Sequence, residues 1–297
     1  MLSGEAFLVT GATGRLGCAV VTRLEDLGAT TLPLVCEGYP VEPKRVRWEA
    51  KTEPILLREV VSLKELPAFS YVINLHWQVN RDLPFSDQVL YEFEMNIHQF
   101  AFLWDWLSSQ ELKRFVNISS IKIFSSLNQN PISADTEPYP LTPYGIAKLT
   151  AEKFFDAHFY KLFPVIHLRL CSVASRGENP SQLMSQLRES AFENRYIQIN
   201  HGHLVYLMDI DEAVDLIINA ALKGEKRRYI LTTEGRRVGD IVRKYEEVLG
   251  KKLNGQYVDL DPGVEDQIFI SNIKELSDSW TRSTSVEAMV KKFVFSR

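Results

Sequence analysis

Apolar positions along this chain alternate between continuous runs of strand length and stripes with helical spacing. The first run is AFLVT at residues 6–10, and the first stripe starts at Leu16 and stops before Gly28. Repetition of a strand-length run followed by a helical stripe predicts βαβ units, a parallel sheet and helices on both faces of that sheet. The predicted strands are residues 6–10, 31–35, 71–75, 114–120, 165–170, 196–199, 204–208 and 229–232, and the predicted helices are residues 16–27, 91–107, 144–162, 181–194, 211–222 and 238–249.

The alternation becomes less regular after Cys171. This change predicts a smaller mixed α/β unit that covers the strand ends, where open α/β sheets bind ligands. We therefore expect a first domain at residues 1–172, rejoined by about 204–232, and a smaller substrate-binding part at 173–297. Pro33, inside the second predicted strand, indicates either a late start of that strand or an edge position.

Composition narrows the classes of protein. The 297 residues are 45% hydrophobic, enough to bury a sizeable core, and the net charge of −4 gives no electrostatic case for a nucleic-acid partner. The 3 cysteines lie far apart without a CxxC pair, which disfavours a disulfide framework and favours a reducing cytoplasm. No apolar run has the length of a membrane span, and the N-terminus lacks a signal segment, so we expect a cytoplasmic protein without a membrane partner. His201 and His203 lack a third ligand at suitable spacing, so we predict no metal site.

The first strand–helix junction carries glycines at every third position: Gly11, Gly14 and Gly17. A helix N-terminus presents free N–H groups and the positive end of its dipole to an anion. Gly11 would permit the tight turn, Gly14 the approach of a pyrophosphate, and Gly17 close packing of helix on strand. The spacing GxxGxxG differs from GxGxxG, but its place after a strand predicts a dinucleotide site in a Rossmann-type, doubly wound sheet.

Tyr144 and Lys148 are four residues apart, so they share one face of their predicted helix. An ammonium group near a phenol favours the phenolate and lowers its pKa from about 10. Tyr144 would then exchange a proton with a substrate oxygen near neutral pH. Ser120, at the end of the predicted strand 114–120, would hold the same oxygen.

These motifs resemble those of the extended short-chain dehydrogenase/reductase superfamily, within it the NAD-dependent epimerase/dehydratase group. TGATGRLG resembles the cofactor loop of that group, FVNISSIKIF its serine strand, PYGIAK its tyrosine–lysine helix and EMNI its E-x-N helix. The resemblance implies hydride transfer beside a nicotinamide. It implies catalytic roles for Ser120, Tyr144, Lys148 and Asn96, and cofactor binding by Gly11, Thr13, Gly14, Arg15, Leu16, Gly17, Glu37, Leu75 and Lys148.

Departures from the group's pattern refine the expected reaction. Dehydratases of the group carry an Asp–Glu pair after the serine, where this chain has Ile121 and Lys122, so dehydration is disfavoured. An arginine that grips a diphosphate in many relatives is absent before the segment VYLMD at 205–209, and Arg176, Arg188 and Arg195 are the candidates to replace it. We expect an oxidoreductase or an epimerase acting on a secondary alcohol or ketone of a sugar-like substrate, with a nucleotide sugar as one option.

The cofactor is either NAD or NADP. Glu37 would accept the ribose hydroxyls of NAD, whereas Arg15 or the basic group at 44–47 would reach the 2′-phosphate of NADP. Val35, at the position expected to be acidic, and Arg15 favour NADP slightly.

Three alternatives remain at this stage. His76 stands where relatives have a small residue, and either shapes the pocket or packs beside Trp77. The resemblance implies a homodimer through two helices, the tyrosine–lysine helix among them. The second class of function, a non-enzymatic NAD(P)-binding regulatory protein, is disfavoured because Ser120, Tyr144 and Lys148 are all present.

Overall fold

The computed structural model of the chain describes residues 1–35, 50–57, 68–175, 182–258, 266–277 and 284–295. The strands are β1 (Ala6–Thr10), β2 (Thr30–Val35), β3 (Ile55–Leu56), β4 (Tyr71–Asn74), β5 (Arg114–Ser120), β6 (Val165–Leu170), β7 (Ser172–Ala174), β8 (Ile197–Asn200), β9 (Leu204–Val205), β10 (Leu207–Asp209), β11 (Arg228–Leu231), β12 (Arg236–Arg237) and β13 (Gly255–Val258). The helices are α1 (Arg15–Asp26), α2 (Phe85–Asn96), α3 (Ala101–Leu107), α4 (Pro143–His158), α5 (Leu183–Glu193), α6 (Ile210–Lys223), α7 (Val238–Leu249) and α8 (Val286–Phe295). Short 3₁₀ turns cover His98–Phe100, Ile121–Ile123 and Ile273–Glu275.

The central sheet has 7 parallel strands in the order β11-β6-β5-β4-β1-β2-β3. From β1 the chain moves outward through β2 and β3, then returns to β4 on the other side of β1. Helices from the two halves therefore diverge above β1 and β4, which leaves a crevice at the carboxyl ends of these strands. The prediction of a doubly wound, Rossmann-type parallel sheet is confirmed.

Helices cover both faces of this sheet because neighbouring residues of each strand point to opposite sides. On one face, Val9 and Ile73 pack in a core with side chains of α1 and α6. On the other face, Leu8, Val72 and Phe115 pack with side chains of α3 and α4. The strands are thus buried on both faces, as the continuous apolar runs predict.

A row of polar side chains crosses the centre of the sheet on its α4 face. Thr10, Asn74, Asn117 and His167 are register partners on β1, β4, β5 and β6. Thr10 Oγ1 donates to Asn74 Oδ1 at 2.6 Å, Asn74 Nδ2 donates to Asn117 Oδ1 at 3.0 Å, and Asn117 Nδ2 lies 3.2 Å from His167 Nδ1. The row continues to α4, where His167 Nε2 lies 3.1 Å from Asp156 Oδ1. All four strand residues are buried, and each polar group meets another.

Four predicted elements differ in the structure. The strand expected at 204–208 is divided into β9, which pairs with β12, and β10, which pairs with β7. The helix expected at 91–107 is interrupted at Ile97, whose carbonyl accepts from the indole N–H of Trp104 at 3.1 Å. The helix expected to reach residue 162 ends at His158. Pro33 lies inside β2, not at its start, and among the described residues β3 pairs with Leu34 and Val35 but not with the proline.

A third core lies in the later part of the chain, where α5, α7 and α8 pack with the parallel pair β8–β13. Within the same later part of the chain, β11 pairs with β6 and therefore belongs to the central sheet. The division into residues 1–172 and 173–297 stays a prediction.

Candidate active site

The glycine turn joins β1 to α1 at the carboxyl edge of the sheet. Gly11 has φ +66°, and a Cβ there would lie 2.7 Å from the backbone of His76. A Cβ at Gly17 would lie 2.2 Å from the carbonyl oxygen of Gly11. Both positions therefore exclude larger residues, and the turn packs closely against the loop that follows β4.

α1 starts at Arg15 with no side-chain cap at Gly14 and no acidic residue in its first turn. The first N–H groups of a helix have no partner within the helix. Arg15 donates from Nη1 to Ser175 Oγ at 3.1 Å, so its side chain spans toward the end of β7. Leu16 is half-buried against the core of the α1 face. The arrangement leaves a backbone cradle suited to a phosphate.

Two of the other predicted cofactor residues, Leu75 and Thr13, lie at the carboxyl edge of the sheet. Leu75 follows β4, with its N–H directed at the carbonyl of Thr10 at 3.3 Å. Thr13 lies within the glycine turn and is half-buried. Glu37, and the basic group at 44–47 considered for NADP, lie outside the described residues.

The N-terminal turn of α4 brings Tyr144 to Ser120. Thr142 caps this helix by accepting from the N–H of Gly145 at 3.1 Å. Gly145 is pressed onto the loop after β5, since a Cβ there would lie 2.2 Å from the carbonyl oxygen of Lys122. The Ser120 hydroxyl lies near enough to the Tyr144 hydroxyl to act on its pKa in the lowering direction.

Lys148 lies one turn further along α4 and is buried. Its Nζ donates to the carbonyl oxygen of Ile118, on β5, at 2.8 Å. Nζ also lies 5.8 Å from the centre of the Tyr144 ring. The structure therefore brings Ser120, Tyr144 and Lys148 together at one end of β5, on the edge of the sheet that also carries the glycine turn.

The pKa values of the pair differ from the sequence-based expectation. Burial raises the pKa of Tyr144 to about 12, although the Ser120 hydroxyl acts in the opposite direction. Burial also lowers the pKa of Lys148 to about 7, against the opposing charges of Glu92 and Glu152. The expected lowering of the tyrosine pKa is thus wrong, because burial is the largest influence on Tyr144 and the charge of Glu92 raises its pKa further.

Asn96, the last residue of α2, directs its amide to the loop after β4 and to its own helix. Its Oδ1 accepts from the N–H of Gln78 at 2.5 Å, and its Nδ2 donates to the carbonyls of Gln78 and Glu92 at 2.9 and 2.7 Å. These bonds occupy its amide, which fixes the loop after β4. The predicted catalytic role of Asn96 stays a prediction.

Two aromatic residues of that loop are part of the site, although no spacing pattern marked them. His76 is buried, its Nε2 lies 3.2 Å from the carbonyl oxygen of Met95, and burial lowers its pKa to about 4, so the imidazole is neutral. Its ring packs on Phe100 at 4.4 Å, so it belongs to the wall behind the loop. The ring of Trp77 lies 3.7 Å from Lys148 Nζ and meets Tyr144 edge-on at 6.3 Å.

The residues considered for phosphate or metal lie farther along the chain. Arg188 stacks on Phe192, Arg195 pairs with Glu189, and Arg176 lies outside the described residues. Within the described ranges, no group of three or more histidine, cysteine or carboxylate side chains is placed to hold a metal ion. None of the helices described in the structure is long and apolar enough to cross a bilayer.

Comparison with known families and structures places these features in context. The family model described as "NAD dependent epimerase/dehydratase family" matches residues 7–231 of this chain. Among solved structures, a UDP-glucose 4-epimerase from Thermotoga maritima with UDP-glucose has a TM-score of 0.81 at 19% identity, covering 98% of this chain and 97% of its own.

Two further structures show the same likeness. A UDP-glucose 4-epimerase from Stenotrophomonas maltophila, with NAD and formylated UDP-arabinopyranose, has a TM-score of 0.81 at 16% identity, covering 97% of this chain and 96% of its own. A UDP-glucuronic acid 4-epimerase from Bacillus cereus, with UDP-glucuronic acid and NAD, has a TM-score of 0.79 at 19% identity, covering 97% of each chain. At these identities the likeness establishes the fold.

Proposed function

This chain belongs to the NAD dependent epimerase/dehydratase family, and on that premise we propose that it is an NAD(P)-dependent epimerase of a nucleotide sugar. The observation that carries the proposal is the convergence of Ser120, Tyr144 and Lys148 at the end of β5, on the edge of the sheet that also carries the glycine turn after β1. Solved structures with the same fold include epimerases with UDP-sugars and NAD.

The glycine turn fits a dinucleotide. Gly11 and Gly17 leave room only for backbone, and the uncapped start of α1 offers N–H groups to a pyrophosphate. A dinucleotide held at this turn would supply reversible hydride transfer to and from a substrate carbon. Leu75 and Lys148 are further candidates to contact the cofactor. Leu75 lies directly after β4, and Lys148 would act through its ammonium group.

Ser120 and Tyr144 would bind the same substrate oxygen, since the Ser120 side chain already acts on the Tyr144 hydroxyl. Tyr144 would take the proton as a secondary alcohol becomes a ketone and give it back when the ketone is reduced. Lys148, as an ammonium group, would stabilise the phenolate. The three residues thus have the roles of orienting group, acid/base and electrostatic partner.

Dehydration stays disfavoured in this proposal. Ile121 and Lys122 form a short 3₁₀ turn directly after Ser120, and Lys122 is exposed. Neither residue offers a carboxyl group to protonate a leaving hydroxyl.

The test is turnover of UDP-glucose and UDP-glucuronic acid with NAD or NADP, followed by NMR of the sugar protons. An epimerase interconverts the sugars with catalytic cofactor, whereas a simple reductase consumes cofactor in proportion to product. Tyr144→Phe is expected to reduce kcat by roughly 10²–10⁴-fold. Tyr160→Phe is the matched control, because Tyr160 is exposed beyond the end of the same helix.

Full turnover in Tyr144→Phe would overturn the acid/base assignment. Tight binding of NADH without turnover of any substrate would instead support the regulatory alternative.

The proposal includes a homodimer. α2 exposes Phe85, Leu90 and Phe93, and a contiguous apolar surface on a folded protein commonly marks an interaction site. Light scattering after size exclusion is expected to give twice the chain mass, and Leu90→Glu is expected to shift it toward the monomer. A wild-type monomer at micromolar concentration would contradict this assembly.

A further inference from the structure

Lys148 is covered by a side chain that the motifs did not identify. The centre of the Trp77 ring lies 3.7 Å from Lys148 Nζ, which also donates to the carbonyl of Ile118 at 2.8 Å. A cation over the face of an indole is attracted to it, more strongly where water is excluded. The ammonium group therefore has both a carbonyl and an aromatic face as direct neighbours.

The indole is itself held in place by α2. Its Nε1 donates to Glu92 Oε2 at 2.8 Å. The next residue, Gln78, has both its backbone N–H and its carbonyl bound by Asn96, one helical turn after Glu92. Rotation of the Trp77 ring would break the bond to Glu92, and movement of its backbone would break those of Asn96.

Glu92 is an unusual residue to anchor an indole. It is fully buried, and among the described residues its second oxygen, Oε1, has no hydrogen-bond partner. A buried carboxylate with a single neutral donor is destabilising, and a glutamine would accept the same N–H without a charge to bury. The charge of Glu92 acts on Lys148 and that of Lys148 on Glu92. This mutual interaction accounts for a carboxylate at this position.

We propose that Trp77 and Glu92 are positioning residues for Lys148: the indole fixes the ammonium group beside Tyr144, and the carboxylate favours its charged form. The inference deepens the proposed function, on which the role of Lys148 rests. Titratable groups face Lys148 from the elements packed around it: Glu92 from α2, Glu152 and Tyr144 from α4, and His76 from the loop after β4; the charges of Glu92 and Glu152 act on its pKa. From β5 it meets the Ile118 carbonyl.

The experiment uses the fluorescence of Trp77, which needs neither substrate nor cofactor. The pH-dependent emission of the full chain minus that of Trp77→Phe isolates the Trp77 signal. We expect this signal to titrate with a midpoint near pH 7, as Lys148 loses its proton. The titration is expected to disappear in Lys148→Met.

Glu92→Gln then separates charge from packing, since glutamine keeps the volume and the acceptor for the indole N–H. Loss of the negative charge is expected to lower the midpoint by about one pH unit, and to move the alkaline limb of the kcat/KM profile by the same amount. Glu94→Gln is the matched control on the same helix, because Glu94 is exposed and pairs with His98. It is expected to leave both readings unchanged.

The outcomes distinguish this inference from the proposed function. An unchanged midpoint in Glu92→Gln, or a Trp77 signal that still titrates in Lys148→Met, would overturn the positioning of Lys148. A normal titration together with no turnover of any sugar nucleotide would overturn the proposed function alone. An unfolding midpoint of Glu92→Gln at or above that of wild type would show that the variant is folded.

Discussion

Helix α4 carries two pairs of polar side chains on its inner side, Tyr144 and Lys148 near its start and Glu152 and Asp156 below them. The lower pair is fully matched by the sheet. Arg169 binds Glu152 through two bonds of 3.1 and 2.9 Å, with both residues buried. Asp156 meets His167 at 3.1 Å and Arg228 at 3.0 Å.

The upper pair is matched less completely. Lys148 has one carbonyl and one aromatic ring, and Tyr144 has the hydroxyl of Ser120. The pKa values of the pair are displaced by burial, to about 7 for Lys148 and about 12 for Tyr144. One helical stripe thus contains charges that stabilise the fold and groups whose protonation can change. The strand residues opposite each turn of α4 decide between the two.

The largest expected effect tests the lower half. Arg169→Met would leave the Glu152 carboxylate buried without its partner, and is expected to destabilise the chain by about 3–5 kcal/mol. Urea unfolding followed by circular dichroism measures the change. The double variant Arg169→Met with Glu152→Met is expected to recover much of the loss, because no charge then stays buried. A loss below 1 kcal/mol in the single variant would show that the pair is dispensable.

The opposite sign is expected in the upper half. The pKa of Lys148 is about 7 in the folded chain, against 10.5 for an ordinary lysine, so the unfolded chain binds more protons between these values. Stability therefore rises with pH over this window, and the full penalty of the buried ammonium group is present below pH 7. Lys148→Met is expected to stabilise the chain by roughly 2–4 kcal/mol at or below that pH.

The advantage of Lys148→Met should fade as the pH rises through the window. Lys153→Met is the matched control on an exposed position of α4. A destabilised Lys148→Met at pH 6 would mean that the bond to Ile118 and the contact with Trp77 outweigh the burial of the charge.

The smallest effect concerns Asp156, at the border of the buried region. Burial alone would raise its pKa, but the hydrogen bond from His167 and the charges of Arg227 and Arg228 lower it. Its contribution is thus present at neutral pH and is lost as the pH falls through the lowered value. Asp156→Asn is expected to cost about 1–2 kcal/mol at pH 7 and less in acid. An equal cost at both pH values would assign the effect to packing.

Local spacing predicted the parts of the site that lie on one element or one turn. The glycine turn and the Tyr144–Lys148 pair depend on residues three or four apart, and the strand ending in Ser120 is a single apolar run. The partners of these groups come from distant segments. Arg169 meets Glu152 across 17 positions of sequence, and Trp77 meets Glu92 across 15, with no motif connecting them.

Two further differences from the predictions concern the pKa of Tyr144 and the helix break at Ile97. The pKa of Tyr144 depends on how completely the surrounding elements exclude water, which a spacing of four residues does not encode. The apolar stripe predicted one helix across residues 91–107, and the break at Ile97 coincides with a hydrogen bond from the Trp104 indole to the Ile97 carbonyl, a contact that the stripe does not encode.

The polar row of Thr10, Asn74, Asn117 and His167 has a consequence for how the sheet assembles. A slip of one strand by a single residue would turn its polar group to the opposite, apolar face and leave its neighbours unbonded. Because the row links β1, β4, β5 and β6, a misaligned pairing of any one of these strands breaks hydrogen bonds with its neighbours in the row. The same pairing fixes where each of these strands ends along the sheet. The distance between the glycine turn and Ser120 is therefore set by the sheet before any ligand binds.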